Sequence, residues 1–394
     1  MDLAKAKLLD GSDTLEKNNW SGSLACLSVR FALEFNMDGT AGDVVRTQVE
    51  RHMRLCLAVT AGRDTLVTLA GSEPLLAEAA YELVKETESN PVVHLANHSD
   101  LNCVDRGRRG ELVTALLIMR ACDAARAASS GRRWVPVDVF MEELLPPDEY
   151  DIFKESFPTY YRDGEKEKFA ATFKDYGIWF NHVIKVEKDN MFSADHLWKF
   201  ITRGAMILCS DNQPGVDIVI PICHTQQPLS RESVTAILVQ VTNAESFQSR
   251  YDESLFDHME PIKLGLFPDT DKLKVFPKPV IRIVFALAAL EAGVDYPPAR
   301  ELEHHHPDGF TAFDVWCAGL GEKAFKHIDP DLVSYRLLLE RSLRSHDAFD
   351  LPKEGDGHDG TRLVRVSLRR RMAPLTAYND AHHAIHLRKS KSAA

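Results

Sequence analysis

A mixed α/β fold is predicted for this chain. Three apolar runs at residues 205–209, 216–222 and 235–241 have the length of strands, and a fourth lies at 279–287. The residues on either side of this group carry apolar side chains at helical spacing. With 394 residues, 44% hydrophobic and 27% charged, the chain has ordinary globular usage and enough apolar surface for a substantial core.

In chain order, residues 42–58 and 74–85 show the period of amphipathic helices, and Pro74 after Ser72 and Glu73 marks a helix start with proline in the first turn. Residues 1–100 therefore read as a mainly helical N-terminal region. The polar run at 97–102 and the Arg106-Gly-Arg-Arg-Gly110 loop break that pattern, and a new helix is expected from Glu111 to about Ala128. Residues 101–345 are expected to form an α/β core. Within it, residues from about 131 to 193 read as an insertion, rich in Pro, Asp, Lys and aromatics without clear periodicity. A helix is expected at 194–204, with Asp195 near its start, before the three strand-length runs. Asp211-Asn-Gln-Pro-Gly215 and Gln226-Gln-Pro228 supply the turns between them. Residues 244–259 are compatible with a helix preceding the fourth strand. After Gly293 a loop containing Pro297-Pro298 and the His-rich stretch 301–309 is expected, then helices at 312–319 and 331–343. Residues 346–394, rich in Gly, Asp and Arg, read as a flexible tail.

The formal charge of −11 is unevenly spread. From Thr361 onward eight basic residues face one acid, Asp380, so residues 1–360 carry about −18. An acidic body does not attract a polyanion over its whole surface, which leaves local patches or the basic tail for any contact with DNA or RNA. Arg106, Arg108 and Arg109 form one such patch, suited to gripping phosphates beside a helix N-terminus or simply to a solvated loop. In the tail, Arg369-Arg-Arg371 and Arg388-Lys-Ser-Lys391 read either as a nuclear-import or nucleic-acid-binding arm or as a solubilising end. No apolar stretch reaches the roughly 18 to 20 residues of a membrane-spanning helix, and the N-terminus lacks the features of a secretory signal. An intracellular location is expected, nuclear if the tail directs import and cytoplasmic otherwise.

Seven cysteines stand far apart without a CxxC pair, as in a reducing compartment, and Cys209 and Cys223 in particular read as small core residues. His304-His-His306 and the group His382, His383 and His386 have spacings open to opportunistic metal binding, although both read as surface loop and tail. GxxxxGK[ST], GxSxG, HExxH and GxGxxG do not occur, so nucleotide hydrolysis, the common serine-hydrolase layout and zincin chemistry have no motif behind them.

An acid in the first turn of a helix, an acid on one strand and a polar residue ending the next strand can converge on one divalent cation. The residues in those places are Glu111, Asp217 in Gly215-Val-Asp-Ile-Val-Ile-Pro221, and Gln240 in Ile237-Leu-Val-Gln-Val-Thr-Asn243. Here the sequence resembles the restriction-endonuclease-like PD-(D/E)XK superfamily, over residues 106–288. Its core runs helix, three strands, helix, strand, with a helix acid, a strand Asp and a (Glu/Gln)-x-Lys on the next strand. The resemblance implies Mg²⁺ held by Asp217 and Glu111, Gln240 as their neutral companion, and Thr242 in the place of the lysine. Residues 197–222 and 236–243 also look like a group of uncharacterised proteins numerous in mushroom-forming fungi. That likeness suggests a recurrent unit, one that could be the C-terminal part of a longer architecture.

Mg²⁺ at phosphoryl-transfer sites is held by one or two carboxylates plus water and substrate oxygens, so Asp217 and Glu111 would suffice in charge. The lysine is the larger loss, because removing one donor that stabilises developing charge typically costs ~10²–10³ in rate. Arg282 or Arg203 would have to supply that charge. Each acid also has a structural reading: Asp217 beside Gly215 as a turn cap, Glu111 as a favourable first-turn charge on a helix. Two functions follow: a divergent metal-dependent nuclease-like protein acting on phosphodiesters, or a non-catalytic module that keeps the nuclease fold to bind a protein partner.

Overall fold

The computed structural model describes residues 1–16, 19–33, 35, 41–59, 66–87, 90–98, 109–129, 134–161, 166–186, 191–210, 213–243, 250–267, 278–301 and 309–347. The chain divides into two units, Met1–Leu339 and Glu340–Ala394, and the sheet, the Asp217 site and the cavity-lining residues described below belong to the first. The structure is mixed α/β. Its elements are α1 (Asp2–Leu8), α2 (Trp20–Phe31), α3 (Ala41–Arg51), β1 (Arg54–Val59), β2 (Leu66–Ala70), α4 (Pro74–Glu86), α5 (Pro91–His98), α6 (Arg109–Ala128), β3 (Val135–Pro136), α7 (Val137–Leu144), α8 (Pro147–Lys154) and β4 (Tyr160–Tyr161). They continue with α9 (Phe169–Thr172), β5 (Tyr176–Ile178), β6 (His182–Lys185), α10 (Ala194–Thr202), β7 (Ala205–Leu208), β8 (Ile218–His224), β9 (Val234–Thr242), α11 (Glu253–His258), β10 (Val280–Ala286), β11 (Gly293–Asp295), β12 (Arg300–Glu301), β13 (Ala312–Ala318) and α12 (Leu332–Asp347).

The heart of the sheet is β7 to β10, the four runs expected from sequence. Their β-branched and aliphatic residues suit a pleated surface covered on both faces. β8 runs antiparallel to β7 (Ile207 opposite Val219) and to β9 (Ile220 opposite Ile237), while β10 returns parallel to β9 (Ile281 opposite Ile237). α11 lies in the crossover between β9 and β10, as the return to a parallel neighbour requires. All seven residues of β10 are buried.

Beyond these four strands the structure departs from expectation in three places. Residues 312–319, expected as a helix, form β13, a fully buried strand parallel to β10 with Ile283 opposite Val315. Periodicity cannot separate helix from strand in a run of seven buried residues, and Phe313, Val315 and Trp316 favour the strand. The region 131–193, expected as an insertion, builds part of the sheet. β5 pairs β8 (Gly177 opposite Cys223), β6 pairs β7 (Val183 opposite Met206) and β4 pairs β13 and β12. Strands of two to four residues are too short to display a period of two. Finally, the helical pattern at 42–58 ends at Arg51. Met53 then adopts φ +59 and the chain enters the β1–β2 hairpin, with Leu55 opposite Leu69.

The N-terminal helices pack on this sheet. Arg30 of α2 donates from Nε to the Asn181 carbonyl at 3.2 Å and from Nη2 to both oxygens of Asp123 on α6 at 2.8 and 2.9 Å. His182, fully buried at the start of β6, lies 2.9 Å from Ser72 Oγ through Nε2 and 2.8 Å from Asn181 Oδ1 through Nδ1. Burial, together with the positive charge of Arg203, holds its imidazole at about 4, so it is a neutral clasp between the loop before α4 and the sheet. Cys209 and Cys223 are core residues, as their apolar surroundings imply. Among the described residues no helix is long and apolar enough to cross a membrane.

One ionic pair lies inside this apolar assembly. Arg282 of β10 sits opposite Asp314 of β13, and the two side chains are 1% and 0% exposed. Arg282 donates Nε to Oδ1 at 2.7 Å and Nη2 to Oδ2 at 2.6 Å, with Nη1 donating to the Phe256 carbonyl at 2.8 Å. The rings of Tyr160, Phe256 and Phe310 surround the guanidinium at 5.0 to 5.5 Å. Removing one partner strands a buried charge, so Asp314→Ala is expected to cost about 3–5 kcal/mol in urea unfolding, whereas Arg282→Met/Asp314→Leu should recover most of that loss.

Candidate functional site

Asp217 is placed by the backbone on both sides of it. Gly215, at φ +76, turns the chain where a Cβ would overlap the His258 carbonyl, so the turn before β8 closes against the end of α11. Asp217 then donates its N–H to the Val239 carbonyl at 2.8 Å and accepts from Cys209 N at 2.8 Å, which fixes it between β7 and β9. Its side chain turns toward the end of β9. Oδ2 accepts from Val241 N at 2.6 Å and from Gln240 Nε2 at 2.9 Å. Burial pushes the carboxyl up to about 6, against the opposing effect of the Val241 N–H.

Gln240 therefore meets Asp217 as expected, but as a donor. Its amide nitrogen faces the carboxylate, and among the described residues neither its Oε1 nor Asp217 Oδ1 takes a hydrogen bond. Thr242 lies two residues on, opposite Ala286 of β10, and its carbonyl accepts from Leu287 N at 3.1 Å.

Glu111 stands half-buried in the first turn of α6, beside Gly110. A Cβ on Gly110 would overlap the Asn243 amide, so the glycine lets the helix N-terminus close on the residue that follows β9. The structure thus brings the start of α6 and the Asp217–Gln240 pair to the same end of β9. Asn243 is the participant that sequence reasoning missed. Its Oδ1 is buried without a hydrogen-bond partner, and the available signal was a polar residue ending an apolar strand opposite a glycine at a helix start.

The cations are elsewhere. Arg282, one of the two cations expected near the site, is committed to Asp314 and the Phe256 carbonyl. Arg203, the other, donates from Nη2 to the Ser72 carbonyl and, at 3.2 Å, to Ser72 Oγ. Neither is available to the site in this arrangement. Arg106 and Arg108 lie outside the described residues, as do His304 to His306, His382, His383, His386 and the tail from 348 on, and Arg109 is described only as the first residue of α6.

Among the described residues no group of three or more His, Cys, Asp and Glu side chains could hold a metal ion. The donors at the end of β9 are instead oxygens of mixed type: the Asp217 carboxylate, the Gln240 carbonyl oxygen and the buried, unpartnered Asn243 Oδ1, with Glu111 in the adjoining turn. An all-oxygen set fits a hard cation such as Mg²⁺ better than a softer metal.

A family model described as Domain of unknown function (DUF8736) matches residues 16–326. The chain belongs to this family. The DUF8736 match runs from before α2 past β13, so helices α2 to α5, the Arg282–Asp314 pair and the Asp217 site fall within one family unit. Neither the comparison with curated proteins nor that with solved structures gives a match.

The Asp217 carboxyl makes the DUF8736 chain's stability depend on pH in a defined direction. A carboxyl whose folded value is raised contributes stability at low pH that is lost as pH rises through the folded value. Replacing it by the neutral isostere, Asp217→Asn, is expected to raise stability relative to the parent between about pH 4 and 6, approaching roughly 3 kcal/mol at neutral pH. Paired urea titrations across that range measure the difference; a constant gap would contradict it.

Proposed function

We propose that this chain is a divergent nuclease-like protein that acts on phosphodiesters with a divalent cation, using a site that keeps its oxygen ligands and lacks its cationic stabiliser. One observation carries this reading: the acid-bearing start of α6, the Asp217 carboxylate and Gln240 are gathered at one end of β9. The order of β7, β8, β9, α11 and β10, with β10 returning parallel to β9, supports a restriction-endonuclease-like core.

In this reading Asp217 and Glu111 hold Mg²⁺ and Gln240 adds a neutral oxygen once its amide turns. The bound ion supplies charge neutralisation and an acidified water at the phosphodiester. Asp217 must give up its proton first, which its position near 6 allows at neutral pH. The helix N-terminus at Gly110 directs backbone N–H groups toward this end of the sheet and favours anionic substrate. Thr242 stands where a lysine would meet developing negative charge and brings none. Arg106, Arg108, Arg109 and the basic tail supply phosphate contacts, and Arg369-Arg-Arg371 directs the protein to the nucleus.

A second reading, a non-catalytic protein-binding module on the same fold, is favoured by the bonds that already satisfy Asp217 Oδ2 and by the commitment of Arg282 and Arg203 to other partners. The two separate in a cleavage assay on plasmid and single-stranded DNA with Mg²⁺ or Mn²⁺. The nuclease reading expects weak cleavage that disappears in Asp217→Ala and Glu111→Ala and rises by roughly 10²-fold in Thr242→Lys. Equal, background-level cleavage by the parent, Thr242→Lys and Asp217→Ala would leave the binding module. Deleting residues 361–394 is expected to flatten the salt dependence of DNA binding, measured by fluorescence anisotropy at several salt concentrations.

A further inference from the structure

A cavity of about 460 Å³ opens among α2, α4, α5, α6 and α12, lined by a set of residues that does not include Asp217, Gln240 or Thr242. Its volume falls within the roughly 300–1,000 Å³ typical of small-molecule sites. Most of the wall is apolar, with Phe31, Val84, Leu116 and Met119 among its side chains. Three cations and one acid interrupt that wall: Arg30, Lys85, Arg120 and Asp123.

Arg30 is the unusual member. Its side chain is 1% exposed and enters the core from α2. Nε and Nη2 are spent on the Asn181 carbonyl and on Asp123, while Nη1 makes no hydrogen bond to any described residue. A guanidinium nitrogen on the cavity wall with N–H groups to spare is a donor that a bound anion can use. Tyr81 stacks beneath the guanidinium at 5.4 Å and holds its plane in place. Arg120 is bound to Asp331 and Arg30 to Asp123, so Lys85, itself 5.7 Å from the Tyr81 ring, supplies the net positive charge of the lining.

We propose that this cavity is a binding site for a small molecule with an apolar body and a single carboxylate, the carboxylate meeting Arg30 Nη1 and the field of Lys85, and the body lying along Val84, Leu116 and Met119. The net charge selects a monoanion, and Arg30 Nη1, beside the bonds of Nε and Nη2, suits one carboxylate oxygen. The apolar wall excludes compact polar metabolites, whose hydroxyl groups would lose their water without finding partners there. The site stands independently of the nuclease reading, since no residue of the Asp217 site lines it.

The test is calorimetric titration of the full chain with decanoate and, as the uncharged counterpart, decanol. Decanoate is expected to bind once per chain, saturably, and at least about tenfold more tightly than decanol, the factor that one charge-assisted hydrogen bond supplies. Val84→Trp fills the cavity from its half-buried rim and should abolish decanoate binding while thermal unfolding stays cooperative. Ala127→Phe, from the α6 side of the same wall, serves if that variant does not fold. Equal binding of decanoate and decanol, an absence of saturation, or undiminished binding in a folded cavity-filled variant would overturn the proposal.

Discussion

The Arg282–Asp314 pair is the constraint around which the sheet is arranged. Two charges taken entirely out of water are tolerated only when every donor and acceptor is met, and here the guanidinium uses Nε, Nη1 and Nη2 on three different acceptor atoms. That demand fixes the register of β10 against β13, since a slip by one residue would turn Asp314 to the opposite face. It also fixes the end of α11, whose Phe256 carbonyl is the third acceptor and whose ring covers one side of the cation. Tyr160 of β4 and Phe310 before β13 close the remaining sides.

The same pair shapes the chemistry at the end of β9. Arg282, on the strand beside Gln240, is withdrawn into the core. What remains is a carboxyl that burial has pushed up to about 6 and whose bonds come from an amide and a backbone N–H rather than from a cation. Asp217 is thus held by neutral donors, while the arginine of the neighbouring strand is spent in the sheet's interior.

The legible part of the fold is the part with long, doubly buried strands. Residues 205–241 and 280–286 announce themselves by β-branched runs and turn residues, and the meeting of Asp217 with Gln240 follows from the turn between β8 and β9, which sets Asp217 beside Val239. β13 was hidden because seven buried residues carry no period, and that hid Asp314, so the commitment of Arg282 could not be read either. β4, β5 and β6 are two to four residues long and take their strand character from their neighbours rather than from their own sequence. The approach of α6 to β9 depends on Gly110 meeting Asn243, residues 133 apart, a tertiary contact that no local pattern encodes.

Gln240 and Thr242 suit the end of β9 on physical grounds. A glutamate at 240 would face Asp217 Oδ2 across the 2.9 Å now spanned by the amide, and two carboxylates at that distance cannot both stay ionised without a cation between them. The glutamine instead donates a hydrogen bond, so Asp217 Oδ2 has two donors without a cation. With a single carboxylate bonded by neutral donors, no cation at 242 is required to offset a second one, and Thr242, β-branched and well suited to a strand, fits the last position of β9. Residues 240 and 242 are therefore ones that let this sheet end close without a cation beside Asp217.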